Sequence, residues 1–172
     1  MEILIVGSII VALMVWASTR IKRDAAAAYN EEVIEAEGFR LTKPEGFIHL
    51  LNDDSGLAFL ANSRDFGLGD AAEKYQATIT VERHDGKDPD AVAAAIKESA
   101  SGAVNEEKFV EQDRKNIRID VSVVEDGVNV RRYVRLVGTD AVTFELRANV
   151  LDDLAESYSE KIENLIASFE VK

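Results

Sequence analysis

The N-terminal residues form an uninterrupted apolar run, which constrains the fold of this chain more than any other feature. Residues 3–17 carry no charge, and Ser18 and Thr19 extend the uncharged stretch to residue 19. Its length is at the short end of what crosses a hydrocarbon core as a helix. Trp16 stands near the end of the run, where aromatic side chains commonly lie at the membrane interface. The sequence therefore predicts a transmembrane anchor within residues 1–23.

A cleaved signal peptide is the alternative interpretation of this run. Signal peptides carry positive charge before the apolar segment, whereas here only Met1 and Glu2 precede it. The basic residues all follow the run, at Arg20, Lys22 and Arg23. By the positive-inside rule, this asymmetry predicts a single-pass membrane protein whose large domain is cytoplasmic, with an extracytoplasmic domain as the alternative.

The apolar run also contains a candidate contact for a second membrane helix. Ser8 and Ala12 are small residues four positions apart, a spacing that lets two helices approach closely. Small residues that face lipid are the alternative interpretation. We predict that Ser8, Ala12 and Trp16 contact other subunits of a membrane protein complex.

Charge and composition exclude several classes of function. The 172-residue chain has a net charge of -12, and its first 23 residues carry +2, so residues 24–172 carry -14. Such a domain repels nucleic acid, and no nucleic-acid partner is expected. The absence of cysteine excludes disulfides and thiolate metal sites.

Neither histidine suggests a catalytic or metal centre. His49 and His84 have no second histidine at metal-ligand spacing, and no G-x-S-x-G motif is present. Acidic groups at Asp85, Asp88 and Asp90, and at Asp53 and Asp54, are explained by helix capping and turns rather than by calcium binding. We therefore predict no enzymatic activity, no cofactor, no metal and no small-molecule substrate.

The remaining residues predict a helical stalk followed by one α+β domain. Residues 24–37 are rich in helix formers and end at Gly38, which predicts a stalk. Alternating segments at 39–42, 47–51, 57–62 and 75–83 predict strands. Asp88 and Pro89 open a predicted helix over 91–100. Further strands are predicted at 108–125 (long or broken near 114–116), 128–137 and 142–150, and a final amphipathic helix at 151–168.

Residues 38–172 contain the opening phrase FRLTKPEGF, the hairpin VRRYVRLVGTDAVTFELRA and the closing phrase ENLIASFEV. In these phrases the chain resembles the PsbP-like fold superfamily, which includes PsbP proteins, DcrB-type lipoproteins and adaptor chaperones of type VI secretion. The resemblance implies an antiparallel β-sheet flanked by helices, an α/β/α sandwich, used as a binding or accessory subunit without enzymatic activity.

Two groups in this domain are candidate partner-binding residues. Phe66 and Leu68 place apolar side chains in a glycine-containing loop, which is otherwise expected to be mobile. On the assumption of a three-residue loop after Val137, Val134 pairs with Phe144. A basic face then forms from Arg131, Tyr133, Arg135 and Arg147, with a solvated sheet face as the alternative.

These features predict a membrane-anchored accessory or assembly subunit of a larger complex, with photosynthetic and electron-transport complexes as candidates by analogy. The alternative is a DcrB-like adaptor chaperone that binds apolar helices of client proteins.

Overall fold

The computed structural model describes residues 13–20, 23, 26–51 and 54–172. Over residues 26–51 and 54–172 the described chain forms ten strands and two α-helices. The strands are β1 (Glu32–Ala36), β2 (Phe39–Lys43), β3 (Phe47–His49), β4 (Phe59–Ser63), β5 (Ala77–Asp85), β6 (Val104–Glu111), β7 (Arg114–Glu125), β8 (Val128–Gly138), β9 (Val142–Leu151) and β10 (Glu170–Val171). The helices are α1 (Pro89–Glu98) and α2 (Ala155–Ser168).

Seven of these strands form one antiparallel sheet in the order β3-β4-β5-β9-β8-β7-β6. Short turns join β6 to β7 and β7 to β8, and the second of these turns lies in the gap between the predicted strands 108–125 and 128–137. The predicted strand over 108–125 is in fact two strands. Its break lies at Gln112 and Asp113, whose positive φ angles form the turn, and not at residues 114–116.

The two faces of this sheet bury different cores. One face, here called the α2 face, packs Ile79, Leu146 and their neighbours against Ile162 and Leu165 of α2. The opposite α1 face packs residues of β7 and β8 against Val92, Ala93 and Ile96 of α1. Helices on both faces of an antiparallel sheet confirm the predicted α+β sandwich.

The predicted N-terminus of α1 is confirmed. A side-chain oxygen of Asp88 accepts a hydrogen bond from the backbone N–H of Asp90 at 2.8 Å, and Pro89 occupies the first turn. The cap satisfies a donor that the helix itself cannot pair. Helix α1 therefore begins directly after Asp88, as the capping chemistry of that residue predicts.

The predicted helical stalk is wrong from Glu32 onward. Residues Glu32–Ala36 form β1, which pairs with β2 through a two-residue turn at Glu37 and Gly38, and β10 completes a three-stranded sheet on the other side of β2. Ile34 of β1 is buried in the same core as Phe39 and Leu41 of β2. Burial of this apolar side chain outweighs the helix propensity of the segment.

Most of the predicted anchor, including Ser8 and Ala12, lies outside the described residues. Residues 13–20 are helical, and Trp16 is exposed, with the Arg20 guanidinium 5.5 Å from its ring centroid. Within the part of the chain that the structure describes, no helix is both long and apolar enough to cross a membrane.

Candidate functional site

The loop of residues 64–76, between β4 and β5, presents Leu68, the most exposed large apolar side chain among the described residues, together with the half-exposed Phe66. Leu68 is 88% exposed and Phe66 is 48% exposed. The Phe66 ring stacks on Tyr75 with centroids 4.4 Å apart, and these two residues form an antiparallel bridge across the loop. Two large apolar side chains exposed on one loop make this loop a candidate contact surface.

The loop is held in place rather than simply extended into solvent. The N–H of Gly67 donates to the Lys74 carbonyl at 2.8 Å. A Cβ on Gly67 would lie 2.6 Å from Cδ1 of Leu151 and 2.7 Å from the Ala71 carbonyl oxygen. Only glycine fits where the loop crosses Leu151 this closely. The fixed crossing leaves Leu68 pointing away from the core.

Two clefts flank the loop. One, of about 300 Å³, lies against the sheet and is lined by residues including Tyr75, Thr78 and Asn149. The other, of about 380 Å³, lies between Leu68 and the turns that follow β7 and β9, and Asp152 and Asp153 contribute to its wall. The exposed apolar side chains of the loop therefore lie beside two clefts whose walls include polar residues.

The surroundings of the loop are acidic. Residues 64–76, 126–127 and 152–153 contain six carboxylates and two cations. Lys74 is paired with Asp126 at 2.8 Å, and this hydrogen bond lowers the pKa of the Asp126 carboxyl. The resulting surface, an apolar centre with a negative border, is here called the Leu68 surface.

The chain enters the folded domain at the same end as the Leu68 surface. The Tyr29 carbonyl accepts a hydrogen bond from Gly46 N–H at 2.7 Å, and the Arg64 guanidinium lies 5.8 Å from the Tyr29 ring centroid. Arg64 is also the first residue of the loop. The N-terminal segment and the Leu68 surface are thus neighbours.

A buried lysine fixes this entry point. Lys43 is fully buried, and its ammonium donates to the carbonyls of Asn30 at 2.5 Å and Phe47 at 2.7 Å. It also reaches the Ala28 carbonyl at 3.4 Å. Burial lowers the pKa of the Lys43 ammonium. Three carbonyls from two segments converge on one charge, which holds the incoming chain against β2 and β3.

The predicted basic outer face does not exist as predicted. Val137, and not Val134, lies opposite Phe144, so the register between β8 and β9 differs by three residues from the prediction. Because side chains alternate along a strand, a shift by an odd number places the residues of one strand on the opposite face of the sheet relative to the other. Arg147 lies on the α1 face. Arg131, Tyr133 and Arg135 share the α2 face, which is largely covered.

These three residues serve mainly internal contacts. Arg135 is 7% exposed, donates to Asn116 Oδ1 and the Ile166 carbonyl, and pairs with Glu111. Tyr133 packs against the core, and burial raises the pKa of its hydroxyl. Arg131 pairs with Asp152 at 3.3 Å, beside the Leu68 surface. Their role in partner binding stays a prediction.

A polar cluster on the α1 face was missed by sequence reasoning. His84 Nε2 lies 2.8 Å from Glu145 Oε2, and His84 Nδ1 lies 3.6 Å from Glu82 Oε1. Arg147 donates to Glu145 Oε1 through Nε at 2.7 Å. Glu145 is 1% exposed. The polar positions Thr80, Glu82 and His84, which alternate along β5, were the available signal, but the partner strand was not predictable from them.

Comparison with solved structures shows a PsbP-like fold. The chain is similar to cyanobacterial PsbP (CyanoP) from Synechocystis sp. PCC 6803, with a TM-score of 0.59 and 11% identity over 84% of this chain and 94% of that one. It is also similar to LpqN of Mycobacterium tuberculosis, described as involved in cell envelope biogenesis, with a TM-score of 0.61 and 12% identity. That likeness covers 83% of this chain and 91% of LpqN.

A third similar structure comes from Bacteroides thetaiotaomicron. Its TM-score is 0.52 at 17% identity, and the match covers 84% of this chain and 49% of that one. No family model matches the sequence. No curated protein matches it either. The similarity is thus one of fold, at identities too low to transfer a function.

Proposed function

We propose that this protein is a non-enzymatic, membrane-anchored accessory or assembly subunit of a larger membrane protein complex, which it contacts through the Leu68 surface. The observation that carries the proposal is the position of Leu68 and Phe66 at the end of the domain where the chain enters from its apolar N-terminal segment. Photosynthetic and respiratory complexes remain candidates by analogy with the fold.

The distance from the anchor limits where this surface can act. Nine residues lie between Thr19, the last of the predicted span, and Tyr29, so ten Cα-to-Cα steps join the two. Fully extended, such a segment reaches at most about 35 Å. The domain end that carries Leu68 therefore stays near the membrane surface, within reach of the aqueous part of a membrane complex.

The charge of the surface selects the partner. A partner that presents lysine or arginine around an apolar side chain or recess complements the acidic border around Leu68. Anionic lipid headgroups are disfavoured by the same carboxylates. A basic, partly apolar protein surface near the membrane is the chemistry that fits.

The adaptor-chaperone alternative is less well supported. Binding of a client helix needs a long apolar groove. In the described residues, α2 and the three-stranded sheet cover the α2 face, and the part of the α1 face that α1 leaves open carries Glu82, Arg147 and other polar groups. The clefts beside Leu68 have acidic borders and suit a side chain better than a helix.

Co-purification from native membranes in mild detergent tests the proposal. We expect stable partners with the wild-type chain and their loss with Leu68→Glu. Leu51→Glu is the matched control, because Leu51 is 80% exposed but lies in the turn after β3, at the opposite end of the domain. Equal retention of partners by Leu68→Glu and wild type would contradict the proposal.

A further inference from the structure

Glu82, His84 and Glu145 form a polar cluster on the α1 face, separate from the Leu68 surface. Its three candidate ligand atoms, one from each residue, all lie within 4.8 Å of one another. Glu82 and His84 are two positions apart on β5 and therefore face the same side. Glu145 lies directly opposite Glu82 on β9. Strand pairing thus places two carboxylates and an imidazole at one point of the α1 face.

The charges at this point favour a cation. Like charges directly opposite each other on neighbouring strands are destabilising. Arg147 compensates only one carboxylate: its Nε and guanidinium nitrogen donate to Oε1 of Glu145 at 2.7 and 2.5 Å. The two carboxylates of Glu82 and Glu145 and the one guanidinium of Arg147 together leave one negative charge in excess. Binding of a divalent cation would offset this negative charge and leave the cluster with a net positive charge.

The hydrogen bonds leave the ligand atoms oriented toward each other. Because Arg147 occupies Oε1, the Oε2 atom of the buried Glu145 faces His84 Nε2 at 2.8 Å. Zinc binds histidine nitrogen and carboxylate oxygen at about 2.0–2.2 Å, which needs only a small widening of that pair. Arg147 orients the ligating carboxylate, as partners of metal ligands commonly do.

Glu82 supplies the third donor: its Oε1 lies 3.6 Å from His84 Nδ1, and its carboxylate must rotate toward Nε2 to share an ion with Glu145. The Glu82 side chain is 43% exposed, while that of His84 is 10% exposed. An ion bound here would have two largely buried ligands and one at the surface, with access from solvent along the Glu82 side. Among the described residues His49 belongs to no such cluster; its ring packs against Phe59 on the α2 face, tilted by 39° with the ring centroids 4.7 Å apart.

We propose that His84 Nε2, Glu145 Oε2 and the Glu82 carboxylate bind one Zn²⁺-like divalent transition-metal ion on the α1 face. Nitrogen and oxygen donors in this number suit zinc and its neighbours better than magnesium or calcium, which prefer oxygen ligands alone. The ion would tie β5 to β9 at the centre of the sheet.

Calorimetric titration of the metal-free full-length chain in detergent with Zn²⁺ alone tests this site. We expect one ion per chain, and an affinity about tenfold or more weaker for His84→Gln and for Glu82→Gln. His84→Gln keeps a side chain able to hydrogen-bond Glu145. Asp85→Asn is the control, because Asp85 is an exposed carboxylate on the same strand with Arg83 as its partner.

Thermal melting provides a second readout that does not depend on heat of binding. Zn²⁺ should raise the melting temperature of the wild type and of Asp85→Asn, and a chelator should reverse the rise. Each variant is first melted without metal, so that a folding defect is distinguished from lost binding. Absence of Zn²⁺ binding by the wild type, or binding that His84→Gln leaves unchanged, would overturn the proposal.

Discussion

The Lys43 ammonium donates to the Asn30 carbonyl at 2.5 Å and thereby joins the incoming chain to the centre of the small sheet. The same ammonium donates to the Phe47 carbonyl at 2.7 Å, and the Lys43 residue is fully buried. A buried charge of this kind is tolerated because carbonyl oxygens surround it. It fixes the position of the N-terminal segment relative to the Leu68 surface.

Replacing Lys43 by methionine therefore leaves buried carbonyls without a donor. We expect Lys43→Met to lower the free energy of unfolding by about 1–3 kcal/mol. Lys161→Met is the matched control, because Lys161 also donates to a carbonyl, that of Glu45, but at an exposed site. Urea denaturation of both variants measures the difference, and equal losses would contradict the assigned role.

Gly38 is required both by its backbone angle and by its neighbour. Its φ is +87°, and a Cβ there would lie 2.6 Å from Cζ of Phe144. We expect Gly38→Ala to destabilise the domain by about 2–3 kcal/mol. Gly127→Ala has a similar φ of +81° in open space and isolates the backbone cost, expected at about 1 kcal/mol. Thermal melting of the two variants gives the contribution of the Phe144 contact, and equal costs would show that the contact is unimportant.

Asp120 gives a pH-dependent prediction. Burial, partly opposed by Arg118, raises the pKa of its carboxyl, and its Oδ1 is buried without a hydrogen-bond partner. Because this pKa is higher in the folded state, the folded chain binds more protons between the ordinary and the raised values. The contribution of Asp120 to stability therefore falls as pH rises through that window.

We expect Asp120→Asn to stabilise the protein at neutral pH by on the order of 1 kcal/mol. The gain should shrink toward about pH 4, the ordinary range of an aspartate pKa. Denaturation curves at both pH values measure it, and Arg118 keeps its partner Glu163 at 2.8 Å in the variant. Asp140→Asn, at an exposed position, should show neither effect. A pH-independent change would argue against the protonation mechanism.

The orientation of the predicted anchor is testable because the chain has no cysteine. We expect the full-length protein to resist carbonate extraction from membranes. A single cysteine introduced at the exposed Glu98 should react with a membrane-impermeant maleimide only after the cells are broken, since the positive-inside rule predicts a cytoplasmic domain. Labelling of intact cells would place the domain outside, and release by carbonate would contradict the anchor.

Local signals in the sequence predicted much of the fold. The Asp88 and Pro89 start of α1 follows from capping chemistry, and the amphipathic pattern of residues 151–168 predicted α2. The strands β7 to β9 followed from alternation and turns. These signals act within a few residues, which is why they were readable from the chain alone.

The errors arose where distant residues decide the structure. β1 became a strand because β2 and the core offered Ile34 a buried position, against the helix propensity of its surroundings. The register between β8 and β9 depends on the length of the loop that joins them. The predicted register was wrong by three residues, an odd number, and therefore placed Arg147 on the wrong face of the sheet. The contact between His84 and Glu145 joins residues 61 positions apart and required the pairing of β5 with β9.

Photocrosslinking in native membranes tests the central claim most directly. A photoreactive phenylalanine analogue placed at position 68 should form a covalent adduct with one defined membrane partner, because Leu68 is the most exposed large apolar residue of the proposed contact. The same analogue at position 51, which is also highly exposed (80%) but lies at the opposite end of the domain, should not capture that partner. Adducts with this partner from position 51 but not from position 68, or no adduct from position 68, would contradict the account.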